Sequence, residues 1–198
     1  MNYVMKILVL VGLILISPLI FFSLFLVFIE DGRPAIFAQE RFGENKKKFT
    51  LYKIRTMNKS VPNLGTHQVN SSNYLYIGAI LRKIKIDELP QLINYLKGDL
   101  ALVGPRPGLL NQIELEECRD LYNIFNVKPG ITGFAQILGY DMSNPDLLAK
   151  IDSLYIKNKS ALLDVKIFFG TFLKPIRSSL LLRFKDEIEE IRKGNKDV

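Results

Sequence analysis

The chain has 198 residues, 48% of them hydrophobic, and carries 27 Lys and Arg against 20 Asp and Glu, a formal charge of +7. That length holds one domain, or one domain and an anchor, and the basic balance admits nucleic acid, anionic lipid or phosphorylated substrates without choosing among them. A single cysteine, Cys118, excludes an intramolecular disulfide framework, and a single histidine, His67, excludes a zinc cluster of His and Cys.

Ile7 to Ile29 is a run of 23 residues without a charge. As a straight helix it measures roughly 35 Å, enough for a bilayer core. A cleaved signal peptide is not expected, because the run is too long and no small-residue cleavage site follows it. Ser17-Pro18 stands near its middle, where Pro18 removes the hydrogen bond to the Ile14 carbonyl and predicts a kink. Composition leaves a spanning and a re-entrant helix both open. Arg33, Arg41, Lys46, Lys47, Lys48, Lys53 and Arg55 follow the run, whereas only Lys6 and the amino terminus precede it. The body of the chain is therefore expected on the cytoplasmic side.

Gly32-Arg33-Pro34 turns the chain out of the run. Ile36–Arg41 and Phe49–Met57 then flank the polar turn Gly43-Glu44-Asn45-Lys46, which predicts a short β-hairpin. Lys53 and Arg55, two apart, would share one strand face and suit a phosphate. A solvated basic edge is the plain alternative. Residues 58–73 are polar and read as a loop. Tyr76, Ile77, Ile80, Leu81 and Ile84 follow a helical pattern, with Arg82 among them.

Next comes Lys83-Ile84-Lys85-Ile86-Asp87-Glu88-Leu89-Pro90-Gln91-Leu92, which sets two adjacent carboxylates before a proline. Leu89, Leu92, Ile93 and Leu96 predict a short helix from Glu88 with its stop at Gly98. Asp87 would be its N-cap, held ionised by the positive end of the helix dipole. An ionised aspartate is a competent nucleophile toward phosphorus, and a neighbouring glutamate can hold a divalent cation. Equally, Asp87 could do no more than cap the helix.

Pro105 and Pro107 fix the backbone on both sides of Arg106, restricting where its guanidinium, a bidentate phosphate ligand, can go. A rigid loop with an incidental arginine is the alternative. Ile113–Phe125 reads as an amphipathic helix. In Val127–Gln136 two glycines and a proline call for an unusual backbone, of the kind that lets main-chain N–H groups approach a ligand. From Ala161 the chain is apolar with interspersed Lys166, Lys174, Arg177, Arg183 and Lys185. Pro175 divides it into two amphipathic segments suited to a membrane interface, or into a core helix pair. A mixed-charge helical tail closes the sequence.

These pieces, in this order, resemble the bacterial sugar transferase family, the small monotopic phosphoglycosyl transferases. The matching residues are the apolar run with Ser17-Pro18, Gln39-Glu40-Arg41-x-Gly43, Tyr52-Lys53-x-Arg55-Thr56-Met57 and Arg82-Lys83-x-x-x-Asp87-Glu88-Leu89-Pro90-Gln91-Leu92. They continue through Lys97-Gly98-Asp99-x-x-Leu102-Val103-Gly104-Pro105-Arg106-Pro107, Lys128-Pro129-Gly130-Ile131-Thr132-Gly133-x-Ala135-Gln136 and Asp164-x-Lys166-Ile167.

The resemblance implies transfer of a phosphosugar from a nucleotide sugar, usually a UDP-sugar, to polyprenyl phosphate, the first membrane step of a surface glycan. It implies Asp87 as a nucleophile that forms a covalent phosphosugar intermediate. Glu88, beside Asp87, would help to hold Mg²⁺. Lys53, Arg55, Arg82, the Pro105-Arg106-Pro107 turn, Lys128 and Gln136 are the candidate substrate and phosphate contacts.

The expected fold is mainly α with a short β-hairpin (α+β). A re-entrant membrane helix, kinked at Ser17 and Pro18, would occupy residues 1–31 and return Met1 to the cytoplasmic side. A cytoplasmic domain with interfacial helices would occupy 32–185, and a charged tail 186–198. The enzyme would sit at a bacterial inner membrane, and no nucleic-acid partner is expected because no nucleic-acid motif appears.

Two features depart from the family pattern. Leu138-Gly139-Tyr140 stands where Asn-Gly-Arg is common, and the chain has no tryptophan. The first motivates an alternative, a catalytically weakened relative acting as a membrane-bound assembly partner.

Overall fold

The computed structural model describes residues 3–59, 61 and 73–194. Most of the polar stretch 58–73 lies outside the described residues. The chain forms two compact units, Met1–Arg41 with Phe49–Leu100, and Phe42–Lys48 with Ala101–Val198.

The first unit begins with α1, Tyr3–Asp31, one helix that runs on through Pro18. Pro18 leaves the Ile14 carbonyl without its backbone donor, and the Ser17 hydroxyl donates to that carbonyl at 2.7 Å. The helix stops at Gly32, whose φ of +63° suits a residue without a Cβ. Most large apolar side chains of α1 are exposed, but Val27 is buried, and it packs with Ile20 and Leu24 against Ile54, Leu75 and Leu81.

The hairpin forms as expected, from β1, Ile36–Phe42, and β2, Lys48–Ile54, around a 3-10 turn at Glu44–Lys46. α2, Tyr76–Lys83, has its first N–H groups capped by a residue of α1: the Glu30 carboxylate accepts from Tyr76 N and, at 3.0 Å, from Ile77 N. A Cβ on Gly78 would stand 2.2 Å from the Thr56 carbonyl oxygen, so this glycine lets α2 lie directly on the backbone that follows β2.

The helix expected from Glu88 starts later. Ile86–Glu88 form a 3-10 turn after Lys85, which adopts φ +63°, and α3 spans Gln91–Lys97 with Pro90 as its N-cap. Gly98 ends it at φ +91°, as expected. Asn94 ties α3 to the hairpin. Its amide donates to Thr50 O at 2.7 Å and to Asp99 Oδ2 at 3.1 Å, and its Oδ1 accepts from Tyr52 N at 3.2 Å.

The second unit contains a two-stranded parallel sheet that periodicity did not announce. β3, Ala101–Val103, pairs with β4, Gly130–Thr132, Ala101 standing opposite Gly130 and Val103 opposite Thr132. A parallel pair needs a crossover, and α4, Ile113–Leu121, lies within it. The helix expected to reach Phe125 ends at Leu121, and Asn123 turns left-handed at φ +55° before a 3-10 turn at Ile124–Asn126.

α5, Phe134–Ile137, is short. α6, Pro145–Lys157, starts on an Asn144 N-cap and is buried along most of its length. α7, Ala161–Gly170, and α8, Lys174–Arg183, are the two segments expected around Pro175, which sits in the first turn of α8. α9 is Lys185–Gly194. Phe134, Ile151, Tyr155, Leu163, Ile167, Leu180, Phe184 and Ile188 form one core. Ile188 thus pins α9 to this core. α7 and α8 give one face to the core, and Phe169, Leu182 and the connecting Phe172 and Leu173 are exposed.

Candidate active site

The first unit gathers Asp87, Glu88, Lys53 and Arg82. The 3-10 turn points Asp87 inward, where it is only 5% exposed. Lys53, next to the last residue of β2, donates to Glu88 Oε1 at 3.1 Å, and both side chains are largely buried. Arg82, near the end of α2, donates to Thr56 Oγ1 at 3.3 Å and lies over the Tyr74 ring at 4.9 Å.

Asp87 departs from the expectation of a carboxyl eased into ionisation by a helix dipole. Burial pushes its carboxyl above the ordinary carboxylate value, with Lys53 the strongest opposing influence. Glu88 adds to the rise, and Arg82 and Lys85 oppose it. The physical reason is position. Asp87 precedes α3 by several residues and is not its cap, so loss of water outweighs any dipole.

Arg55 is not a partner of Lys53. β2 ends at Ile54, and the Arg55 guanidinium turns to α1, pairing with the Asp31 carboxylate and donating to Asp31 O at 3.2 Å and Gly32 O at 2.8 Å. It clamps the last turn of α1, whose exposed carbonyls suit a cation.

In the second unit, Pro105 and Pro107 are buried and Arg106 is half-buried between them. Gly130 N donates to Pro105 O at 2.9 Å, and a Cβ on Gly104 would stand 2.6 Å from Lys128 O. A Cβ on Gly133, which opens α5, would stand 2.4 Å from Gly104 O. The backbones bearing Arg106, Lys128 and Gln136 therefore meet at one junction. Gly130 and Gly133 are needed there for close approach; neither has a positive φ.

Gln136 Oε1 is buried without a hydrogen-bond partner. At the departure from the family pattern, Leu138 packs on the core and the Tyr140 ring lies 5.4 Å from the Arg192 guanidinium of α9. Arg192 went unnoticed in the sequence because nothing local links it to α5.

Among the described residues no three acidic, His or Cys side chains come together. Asp87 and Glu88 supply two carboxylates, a hard oxygen set that fits Mg²⁺, which takes one or two carboxylates and completes its shell from phosphate and water.

A profile of bacterial sugar transferases matches residues 2–178. The chain is 38% identical to the uncharacterized sugar transferase EpsL of Bacillus subtilis over 92% of this chain and 90% of the relative. It is 39% identical to a UDP-N-acetylgalactosamine-undecaprenyl-phosphate N-acetylgalactosaminephosphotransferase of Aeromonas hydrophila, over 79% of this chain and 39% of that protein. It is 34% identical to an undecaprenyl-phosphate galactose phosphotransferase of Salmonella typhimurium, over 80% of this chain and 37% of that one. The chain therefore spans about two fifths of these last two relatives and nearly all of the first. With the Asp87-Glu88 pair, its cations and the motifs from Ser17-Pro18 to Ile167 all inside or alongside the matched stretch, the chain belongs to the bacterial sugar transferase family.

Proposed function

We propose that this chain transfers a phosphosugar from a UDP-sugar to undecaprenyl phosphate at the cytoplasmic face of a bacterial inner membrane, giving a polyprenyl diphosphate sugar and UMP. The observation that carries this reading is Asp87, a buried carboxylate beside Lys53 and Arg82 in a chain of this family. The names of the Aeromonas and Salmonella relatives support the acceptor and the class of reaction.

In the proposed course, an Asp87 oxygen attacks the phosphorus that bears the sugar. The bond from that phosphorus to the bridging oxygen breaks, and UMP leaves with the electron pair. A polyprenyl phosphate oxygen then attacks the aspartyl phosphosugar and frees Asp87. A diphosphate resists an anionic nucleophile until its charge is neutralised, which Lys53 and Arg82 do from this unit. Arg106, Lys128 and Gln136 are proposed as further substrate contacts. Glu88, with Asp87, would hold Mg²⁺, which when bound supplies further neutralisation of the diphosphate.

The elevated carboxyl of Asp87 suits the role, because a more basic oxygen is a stronger nucleophile once ionised. α1 is proposed as a re-entrant anchor bent at Ser17-Pro18, which labelling of a cysteine at Tyr3 from the cytoplasmic side checks. The exposed apolar face of α7 and α8 is proposed to lie in the interface.

The test is UMP release from a panel of UDP-sugars with undecaprenyl phosphate and Mg²⁺, comparing wild type and Asp87→Asn. Release that disappears in the variant is expected. Undiminished release from Asp87→Asn removes Asp87 as the nucleophile. Silence from folded wild type across the panel transfers support to the non-catalytic assembly partner, a reading motivated by Leu138 and Tyr140, which pack against the core.

A further inference from the structure

Lys53 holds the carboxylate that the proposed function gives to a metal ion. Its ammonium donates to Glu88 Oε1 at 3.1 Å, with the two side chains 15% and 11% exposed. A carboxylate has lone pairs to spare, so hydrogen-bond count alone does not forbid a shared ligand. Charge does. An ammonium and a divalent ion on one carboxylate would stand within a few ångström of each other, with little water to screen them.

Two other basic residues of this unit make contacts of their own. Arg55 is clamped on Asp31 and Gly32, and Arg82 reaches Thr56 and the face of Tyr74. Lys53, which holds Glu88, has a flexible stem and a point charge that let it change partners.

We infer that Lys53 is a latch on Glu88: ammonium and metal compete for the carboxylate, and the donor's diphosphate lifts the competition by giving Lys53 a new anion. The inference rests on Glu88 as the metal-holding residue. In the donor-free protein Lys53 keeps a positive charge beside Asp87 and holds metal affinity down. When a nucleoside diphosphate enters, Lys53 moves to a phosphate oxygen and no longer competes with the ion for Glu88. Metal and nucleotide then bind with mutual reinforcement, and part of that coupling passes through Lys53. Lys53 is in this respect a positioning residue, acting on the metal through Glu88.

The experiment is a Mn²⁺ titration of the purified full chain, read by electron paramagnetic resonance, with and without UDP. Lys53→Met should bind Mn²⁺ alone at least about tenfold more tightly than wild type, the equivalent of one charge-assisted hydrogen bond removed from competition. Lys53→Arg should stay near wild type, and UDP should improve Mn²⁺ binding less in Lys53→Met than in wild type. Equal affinity of wild type and Lys53→Met for Mn²⁺ alone overturns the latch, as does failure of both to bind it.

A second measurement needs no variant. Acylation of Lys53 by an amine-reactive ester, read by mass spectrometry, should speed up when saturating Mg²⁺ is added and slow down when UDP follows. Labelling indifferent to Mg²⁺ overturns the latch. If these shifts appear while no UDP-sugar yields UMP, the latch stands and the reaction proposed above falls. UMP release with metal binding indifferent to Lys53 gives the reverse.

Discussion

At Asp87, stability and reactivity pull in opposite directions. Its carboxyl lies above the ordinary carboxylate value because it is buried. A carboxyl raised on folding favours the folded state while it is protonated, below its unfolded value, and that contribution is lost as pH rises through the folded value. At neutral pH its ionised form therefore costs stability, which Lys53 and Arg82 only partly offset. Asp87→Asn removes the charge at nearly constant shape, so its melting temperature at pH 7.5 should exceed that of wild type, with the gain shrinking toward pH 4. The same variant should release no UMP. A variant that melts below wild type at pH 7.5 would show that the ionised carboxylate is favourably held after all. The carboxylate pair and the strand position of Lys53 were legible in the sequence because each is written locally, whereas the Lys53–Glu88 contact is made by the tertiary fold. The commitment of Arg55 was not, since Asp31 lies far upstream and only the tertiary fold brings α1 beside the end of β2.

Among the elements of the second unit, α6 is held to α4 by a buried ion pair. Arg119 donates to Asp152 at 2.9 Å, with side-chain exposures of 3% and 2%. Burial raises the Asp152 carboxyl above its ordinary value while Arg119 opposes the rise. Removing one partner of such a pair leaves the other charge stranded, so Arg119→Met should destabilise the protein by about 3–5 kcal/mol. Because the stranded carboxyl is raised, it is readily protonated on acidification, and the loss should be smaller at pH 5 than at pH 7.5. Adding Asp152→Leu should recover most of the stability at both values, as read by denaturant unfolding in detergent. A double variant as weak as the single would mean that the pair holds α4 and α6 by geometry that apolar packing does not replace. Neither the pair nor α6 was read from the sequence, although Asn144-Pro145-Asp146 is an ordinary helix start. β3 and β4 escaped for a different reason: three residues each are too few to show a period of two. The hairpin, the stop at Gly98 and the split at Pro175 were legible because turns and helix ends are written locally, in glycine, asparagine and proline.

On the scale of the whole molecule, α1 has two halves with different surroundings. From Tyr3 to Pro18 no residue is buried, and Ile7, Leu8, Ile14 and Leu15 are among its exposed apolar side chains. Under the proposed anchoring a bilayer would cover this half, together with the exposed Phe21, Phe22, Phe25 and Ile29 of the second. From Ile20 to Asp31 the same helix supplies Ile20, Leu24 and Val27 to the core of the first unit, caps α2 through Glu30 and pairs with Arg55 through Asp31. Composition alone shows one apolar run and hides this division. The helix proposed as the anchor is consequently part of the unit that carries Asp87, and the two losses should separate on truncation. Deleting residues 2–16 should weaken membrane association while leaving a protein that folds in detergent and melts cooperatively. Deleting residues 2–31 strips apolar cover from Ile54, Leu75 and Leu81 and leaves the buried Arg55 without its carboxylate. At roughly 1.5–3 kcal/mol for each large apolar side chain uncovered, and more for a stranded buried charge, that loss rivals the whole stability of an ordinary domain. The longer deletion should therefore yield aggregated protein, as size-exclusion chromatography would show. A soluble, cooperatively melting product from it would mean that the first unit closes its core without α1.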